Sequence, residues 1–431
     1  MQPLLSIKRQ VNALRGDGRG TVLVAVACGW GLSMGVRMIY PVLLPHLQAA
    51  YDLDYTTAGL LLTVLFLAYA FGQLPGGVLA DRFAERHILA GSVALCAATI
   101  LLVVTAGTPA LLFLATILFG FGAALYAVAR YTTLARLYPD TIGSANGVTA
   151  AAQDAGQSVL PPLAGLLAGV LAWQYGFGFA IPLFVGVAIL LWWVVPESDG
   201  EGSSVDSGAA DDSGTGTDAD GALSLETARL VASELRNPSI MYGTAIFTLG
   251  LCIWQAFTGF YPTYVIEVKG LSSTVASILF GTFFALGVVI KPIAGGAYDR
   301  IGLRRSLLVL LGVSGSALAV LPFVEGLVPI AAITVLVSFL LGFGVVTEAY
   351  LILELPEEIR GTGFGLLRTI AFGVGALSPV VFGAAADRGL FDYAFFALAA
   401  IAAVMILLAL RVPAAKETES DDRRPSEDPS A

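Results

Sequence analysis

Charge is scarce in this chain: Asp, Glu, Lys and Arg make up 13% of its 431 residues, roughly half the share of an ordinary soluble domain. Histidine is almost missing, with His46 and His87 alone, and the cysteines are Cys28, Cys96 and Cys252. No two of these five have the spacing of a zinc or haem motif, and the cysteines sit inside apolar runs. Neither a metal site nor a disulfide framework is indicated, and no cofactor is expected. No Gly-rich phosphate loop ends in Lys-Ser/Thr, which argues against direct use of ATP. No serine, histidine and acid gather in a loop, which argues against an enzyme. A net charge of -9 excludes a nucleic-acid binder of the usual basic kind.

What abounds is apolar: 57% of residues are hydrophobic and the mean hydropathy is +0.82. Runs of about 20 apolar residues point to the lipid bilayer as the partner that takes up this surface. Lys8, Arg9, Arg15 and Arg19 precede the first run. It continues for about 25 residues without a small-residue cleavage site, so it reads as a retained span and not a signal peptide. Apolar runs bounded by charges or turn residues give twelve spans, at 21–46, 56–80, 87–106, 109–135, 143–170, 175–195, 239–264, 272–297, 305–323, 327–350, 361–386 and 391–411. An even number places both termini on one side. The loops and tails of that side hold seventeen Lys and Arg residues, the opposite loops only Lys269 and Arg388. Both termini are therefore expected in the cytoplasm, with the protein multi-pass in the cell membrane.

Four basic residues remain inside spans: Arg37, Arg130, Lys291 and Arg368. Between the sixth and seventh spans the composition changes abruptly to Gly, Ser and Asp, with no aromatic residue from Glu197 to Glu226. Such a stretch buries too little apolar surface to offset chain entropy and reads as a linker. The expected organisation is a terminal segment 1–20, a six-helix bundle 21–195, an acidic linker 196–238, a second bundle 239–412 and an acidic tail 413–431. Nine acids fall between Glu197 and Glu226 in the linker and six between Glu417 and Asp428. The negative charge thus belongs to the linker and tail, not to the helices.

The two halves repeat. GVLADRFAERH (Gly77 to His87) returns as GGAYDRIGLRR (Gly295 to Arg305), 218 residues later. At the same offset Gly143, Gly147, Pro161 and Gly165 match Gly361, Gly365, Pro379 and Gly383. One constant offset implies two homologous bundles related by an axis along the membrane normal, an arrangement of transporters. On these residues the chain resembles the major facilitator superfamily from about Thr21 to Arg411. The family's loop motif after helix 2 is present as Gly77, Leu79, Asp81, Arg82 and Arg86, and after helix 8 as Gly295, Asp299, Arg300, Gly302, Arg304 and Arg305. Ala84 and Glu85 depart from it.

The resemblance implies an all-α membrane protein of twelve helices in two pseudo-symmetric six-helix bundles, working as a monomer on a small-molecule substrate. Its loop motif implies a cytoplasmic gate. The motif's aspartates suit free amides at the start of a helix in the other half. Arg130 and Glu348 are related by the same offset. The expected pairs are Glu85 with Arg130 and Arg304 with Glu348, a reversal of sign between the halves.

The resemblance also implies a substrate path between the bundles. Arg37 lies about 12 Å inside the outer end of helix 1, where a guanidinium needs a partner. Arg, seven residues, Pro, any residue, Leu is a spacing similar to that of organic-anion carriers in this superfamily; the offset puts Gln255, not a second arginine, at the matching place. Anion binding, a structural pair with Asp154 or the neighbouring bundle, and snorkelling all remain open for Arg37. Asp154 falls near the middle of helix 5 between Gln153 and Gln157, as a proton-coupling carboxylate or a permanent ion pair. Arg368 faces the cavity or the other bundle, and Lys291 is expected to snorkel. Trp254, Thr258 and Tyr261 recur at helical spacing beside Gln255, as Ser33, Arg37 and Tyr40 do, either as packing or as ligand contacts. Candidate substrate contacts are thus Arg37, Tyr40, Gln157, Trp254, Gln255, Tyr261 and Arg368. Gly156, Pro161 and Gly165 partly fit the superfamily's antiporter motif. Proton-coupled uptake of a small organic anion is the favoured expectation. Efflux of apolar or cationic compounds and a transporter-shaped sensor are the alternatives.

Overall fold

A computed structural model describes residues 19–196, 237–356 and 360–412, and all of their side chains except those of Ala80, Asp81 and Thr362. The expected terminal segment, the body of the linker and the tail lie outside the described residues. The described chain is helical almost throughout. Its first half holds α1 (Arg19–Tyr51), α2 (Tyr55–Arg82), α3 (Glu85–Val104), α4 (Pro109–Leu137), α5 (Ile142–Val170) and α6 (Trp173–Val194). The second half begins with α7 (Pro238–Glu267). The segment Ser273–Val320 follows, and Gly302, at φ 73°, divides it into α8 (273–301) and α9 (303–320). Only glycine takes that backbone cheaply, so one apolar run becomes two antiparallel helices. Then come α10 (Leu327–Glu354), α11 (Arg360–Gly375 and Ser378–Ala386) and α12 (Phe391–Arg411).

Ten described segments are long and apolar enough to cross a membrane. One of them is α8 with α9, and α5, diluted by Gln153, Asp154 and Gln157, is a further crossing. Twelve helices result. Local chemistry sets their starts: Asp54 accepts from the Thr57 N–H at 2.7 Å, Thr108 caps α4 before Pro109, and Asn237 caps α7 before Pro238. Large apolar side chains such as Trp193, Phe323 and Val328 stay outward, as lipid-facing helices require.

The face where α1 begins and α12 ends is the terminal face; the opposite one is the distal face. The bundles close on each other at the distal face. A Cβ on Gly59 of α2 would lie 2.4 Å from the Pro379 carbonyl oxygen of α11, and one on Gly383 would lie 2.1 Å from that of Tyr55. Only glycine permits such backbone contact. Between α5 and α8, Gly281 meets Ser158 and Pro162 in the same way. At the terminal ends of α5, α8 and α11 a Cβ on Gly143, Gly147, Gly296 or Gly365 would meet nothing within 4 Å. The cleft between the bundles therefore opens to the terminal face.

A carboxylate fastens the closed face. Asp387, just past α11, accepts from the Tyr55 and Thr56 N–H groups at 2.8 Å each and from the Thr56 hydroxyl. These amides begin α2 and have no helical partner, and the helix dipole favours an anion there. A charge at a helix start contributes 0.3–1 kcal/mol, so Asp387→Ala should shift the distal open-closed balance about two- to fivefold. The measurement is labelling of a cysteine at the buried Ala58 position by a membrane-impermeant maleimide from the distal side, with native cysteines replaced. Labelling should rise by that factor; an unchanged rate refutes the latch.

Candidate functional site

The site grows from a break in α1. Pro41 has no N–H to give the Arg37 carbonyl, so the helix stops at Arg37 and resumes at Ile39, with the Met38 N–H turned back to the Gly35 carbonyl at 3.0 Å. The Arg37 side chain leaves the helix at this break and is 5% exposed. Its guanidinium carbon lies 4.6 Å from the Tyr69 ring centre, 5.7 Å from Phe66 and 6.0 Å from Trp254. Tyr69 and Phe66 come from α2 and Trp254 from α7, so both bundles build the cage. Cation–π attraction offsets part of the desolvation cost. Among the described residues no carboxylate pairs with Arg37, and its Nε has no hydrogen-bond partner.

Two other cations near the cleft have carboxylate partners, while the buried Arg130 has none among the described residues. Asp154, 6% exposed, receives the Lys291 ammonium of α8 at 2.5 Å between Nζ and Oδ1. Lys291 does not snorkel and Asp154 does not pair with Arg37. The reason is rotational: Gly281, Gly287 and Lys291 lie on the side of α8 toward the molecule's interior, and the close α5–α8 contact brings the ammonium to the carboxylate. Arg368 stands 3.7 Å from Glu348 of α10 and is close enough to Arg37 to interact with its charge. Nearby, Gln157 and Gln255 are buried with Nε2 of the first and Oε1 of the second unpartnered, and Gln255 Nε2 donates weakly to the Phe372 carbonyl at 3.4 Å.

Two expected contacts fall elsewhere. Tyr40 is fully buried against Phe119 and Phe177 inside the first bundle, because helical spacing does not carry across the break at Met38. Tyr261 stacks on Phe257 and shares a hydrogen bond with Thr334 inside the second bundle.

The expected gate pairs are also replaced. Glu85 pairs with Arg136 at 2.6 Å, one and a half turns beyond Arg130 on α4. Arg130 bonds to Thr149 and lies between the Trp30 and Tyr131 rings, at 4.4 and 4.0 Å. It borders a recess of about 320 Å³ with Asn146 and Gln153. Glu348 faces Arg368, and Arg304 is exposed. Gly77 and Gly295 have room around them, Arg82, Asp299 and Arg300 are exposed, and Arg86 lies over Trp192. The Asp81 side chain lies outside the described residues. Sequence reasoning missed two residues: Lys291, one helical turn past Gly287, and Asp387. The latter closes Gly383-Ala-Ala-Ala-Asp387-Arg388, a third copy of the G-x-x-x-D-R spacing.

The sequence profile of the Major Facilitator Superfamily matches residues 25–353 and again 270–430. A probable sulfoacetate transporter of Cupriavidus necator is 23% identical over 410 residues, covering 91% of this chain and 93% of that protein. A hexuronate transporter of Bacillus subtilis is 23% identical over 391 residues, covering 85% and 88%. Among solved structures, a bacterial homologue of the human lysosomal transporter Spinster, inward-facing and occupied, superposes with a TM-score of 0.73 at 15% identity, covering 91% of this chain and 96% of that one.

The Lys291–Asp154 pair predicts a stability signature. Lys291→Met should destabilise the protein by less than the roughly 3–5 kcal/mol of a fully buried pair, because the lysine side chain is 28% exposed. Adding Asp154→Asn should recover part of the loss. Thermal unfolding of both variants checks this, and additive losses refute a direct interaction.

Proposed function

We propose, since the chain belongs to the Major Facilitator Superfamily and is a secondary transporter and not an enzyme, that its cargo is a small organic anion held at Arg37. One observation carries this reading: Arg37 is a buried cation caged by rings from both bundles, and no carboxylate among the described residues pairs with it. A buried unpaired charge is costly. A guanidinium fork matches the oxygens of a carboxylate or sulfonate, and a solute that brings them supplies the missing partner. Arg368, Gln157, Trp254 and Gln255 line the rest of the site. The relatives named for sulfoacetate and hexuronate support the same class.

Reading the terminal face as cytoplasmic, by its excess of Lys and Arg, makes the open cleft inward-facing. Asp154 takes the coupling proton, since its protonation releases Lys291 and with it the ionic tie between the bundles. The protein acts as a monomer, with the loop-motif residues Gly77, Asp81, Arg82, Gly295, Asp299 and Arg300 closing the terminal face in the outward-open state. Efflux of cationic compounds is disfavoured because the aromatic cage already holds a cation.

The test uses proteoliposomes with an imposed inward proton gradient and labelled sulfoacetate or glucuronate. Wild-type protein should accumulate one of these anions. Arg37→Ala should lower uptake roughly hundredfold, and Arg37→Lys should restore only a small part because an ammonium lacks the fork. Asp154→Asn should abolish gradient-driven accumulation while leaving anion exchange. Uptake that both Arg37 variants leave unchanged refutes the anion site, and full gradient-driven uptake by Asp154→Asn refutes the coupling role.

A further inference from the structure

Three ion pairs occur among the described residues, and Lys291–Asp154 is the one that joins the two bundles; Glu85–Arg136 and Arg368–Glu348 each stay within one. Its depth follows from packing. Helices α1 and α5 run parallel, with Gly31 against Ala152 and Gly156 and Gly35 against Gly156. Asp154 is therefore level with residues 29–33, four to eight residues or roughly 6–12 Å along the axis from Arg37 toward the terminal face. Both groups border the cleft between the bundles, and a short carbon chain with an acid group at each end spans that separation.

We propose, resting on the anion reading above, that Lys291 is the second cargo-binding cation and that the transported solute is a short dianion bound together with one proton. In the conformation described, Asp154 occupies the Lys291 ammonium. A proton from the aqueous phase neutralises the Asp154 carboxylate, the ammonium is freed, and the second acid group of the solute takes its place. Arg37 and Lys291 then face two negative charges. On release the proton leaves Asp154 to water, and the carboxylate recovers Lys291. A monoanion needs Arg37 alone and does not displace Asp154. Proton and dianion thus enter as one neutralising set, which avoids stranding a bare charge at this depth.

The charged groups that neighbouring helices bring toward the middle of α5 are Lys291 from α8, Arg37 from α1 and Arg130 from α4. Helix α6 brings none, and His46 and Asp140 lie near the ends of α5. Asp154 is the acid among the groups that meet at the middle of α5, and the proposal assigns the proton to it.

Ethanesulfonate and ethane-1,2-disulfonate test this, because both stay fully ionised over the range and any pH dependence belongs to the protein. Calorimetric titration of the purified full-length chain at about pH 5.5 and about pH 7.5 should show the preference for disulfonate over monosulfonate about tenfold larger at the lower pH. No variant is needed for that comparison. Asp154→Asn should give at the higher pH the preference that wild type shows at the lower one. Lys291→Gln should shrink the preference about tenfold at the lower pH. A preference that ignores pH, or that survives Lys291→Gln, overturns the proposal and leaves the anion reading standing. If neither probe binds the wild type, the anion reading falls and this proposal with it.

Discussion

A charge placed between two helical bundles in a membrane must find a counter-charge, and everything central to this protein follows from how three cations meet that demand. Arg368 takes Glu348 from its own bundle. Lys291 takes Asp154 from the other bundle. Among the described residues Arg37 takes aromatic faces in place of a carboxylate, from both bundles at once. The first arrangement is compatible with any relative position of the bundles. The second and third depend on that position, so relative motion of the bundles and occupation of the cavity are linked by electrostatics and not by shape alone.

Close backbone contact at Gly59 and Gly383 brings α2 and α11 together at the distal face, Gly281 admits the Pro162 ring and the Ser158 carbonyl, and Asp387 adds a directional tie to the start of α2. Backbone contact of this kind is easily parted, since no bulky group must be withdrawn. The same pairing of a carboxylate with helix-start amides is available to Asp299 at the opposite face, where it is now exposed. A protein with one copy of the device engaged and another free has the parts for two closed faces, one at a time.

Much of the fold was legible in the sequence because lipid imposes a simple code: twelve apolar runs, a charge-poor interior and a repeat at a fixed offset of 218. The depth of Arg37 and Asp154 could be counted in residues. Their partners could not. Pairing depends on how α8 is rotated about its axis, and only the spacing of Gly281, Gly287 and Lys291 hinted at it. Tyr40 was misplaced because Pro41 ends the helical register that would have set it beside Arg37. Glu85 was matched to the wrong arginine for a related reason: the offset names equivalent positions, while Arg136, one and a half turns further on, is the one that meets Glu85. Asp387 was overlooked although its G-x-x-x-D-R spacing stands in the sequence, because it falls outside the repeat that aligned the other two copies.

The central claim is that Arg37 lacks a protein counter-charge and holds a solute anion. Crystals of the full-length protein soaked in bromide and measured at the bromine absorption edge test it without any assumption about cargo or coupling. The account predicts an anomalous peak in the cleft, in contact with the Arg37 guanidinium and close to Trp254. A cleft without such a peak, with Arg37 instead paired to a carboxylate of the protein, would contradict it.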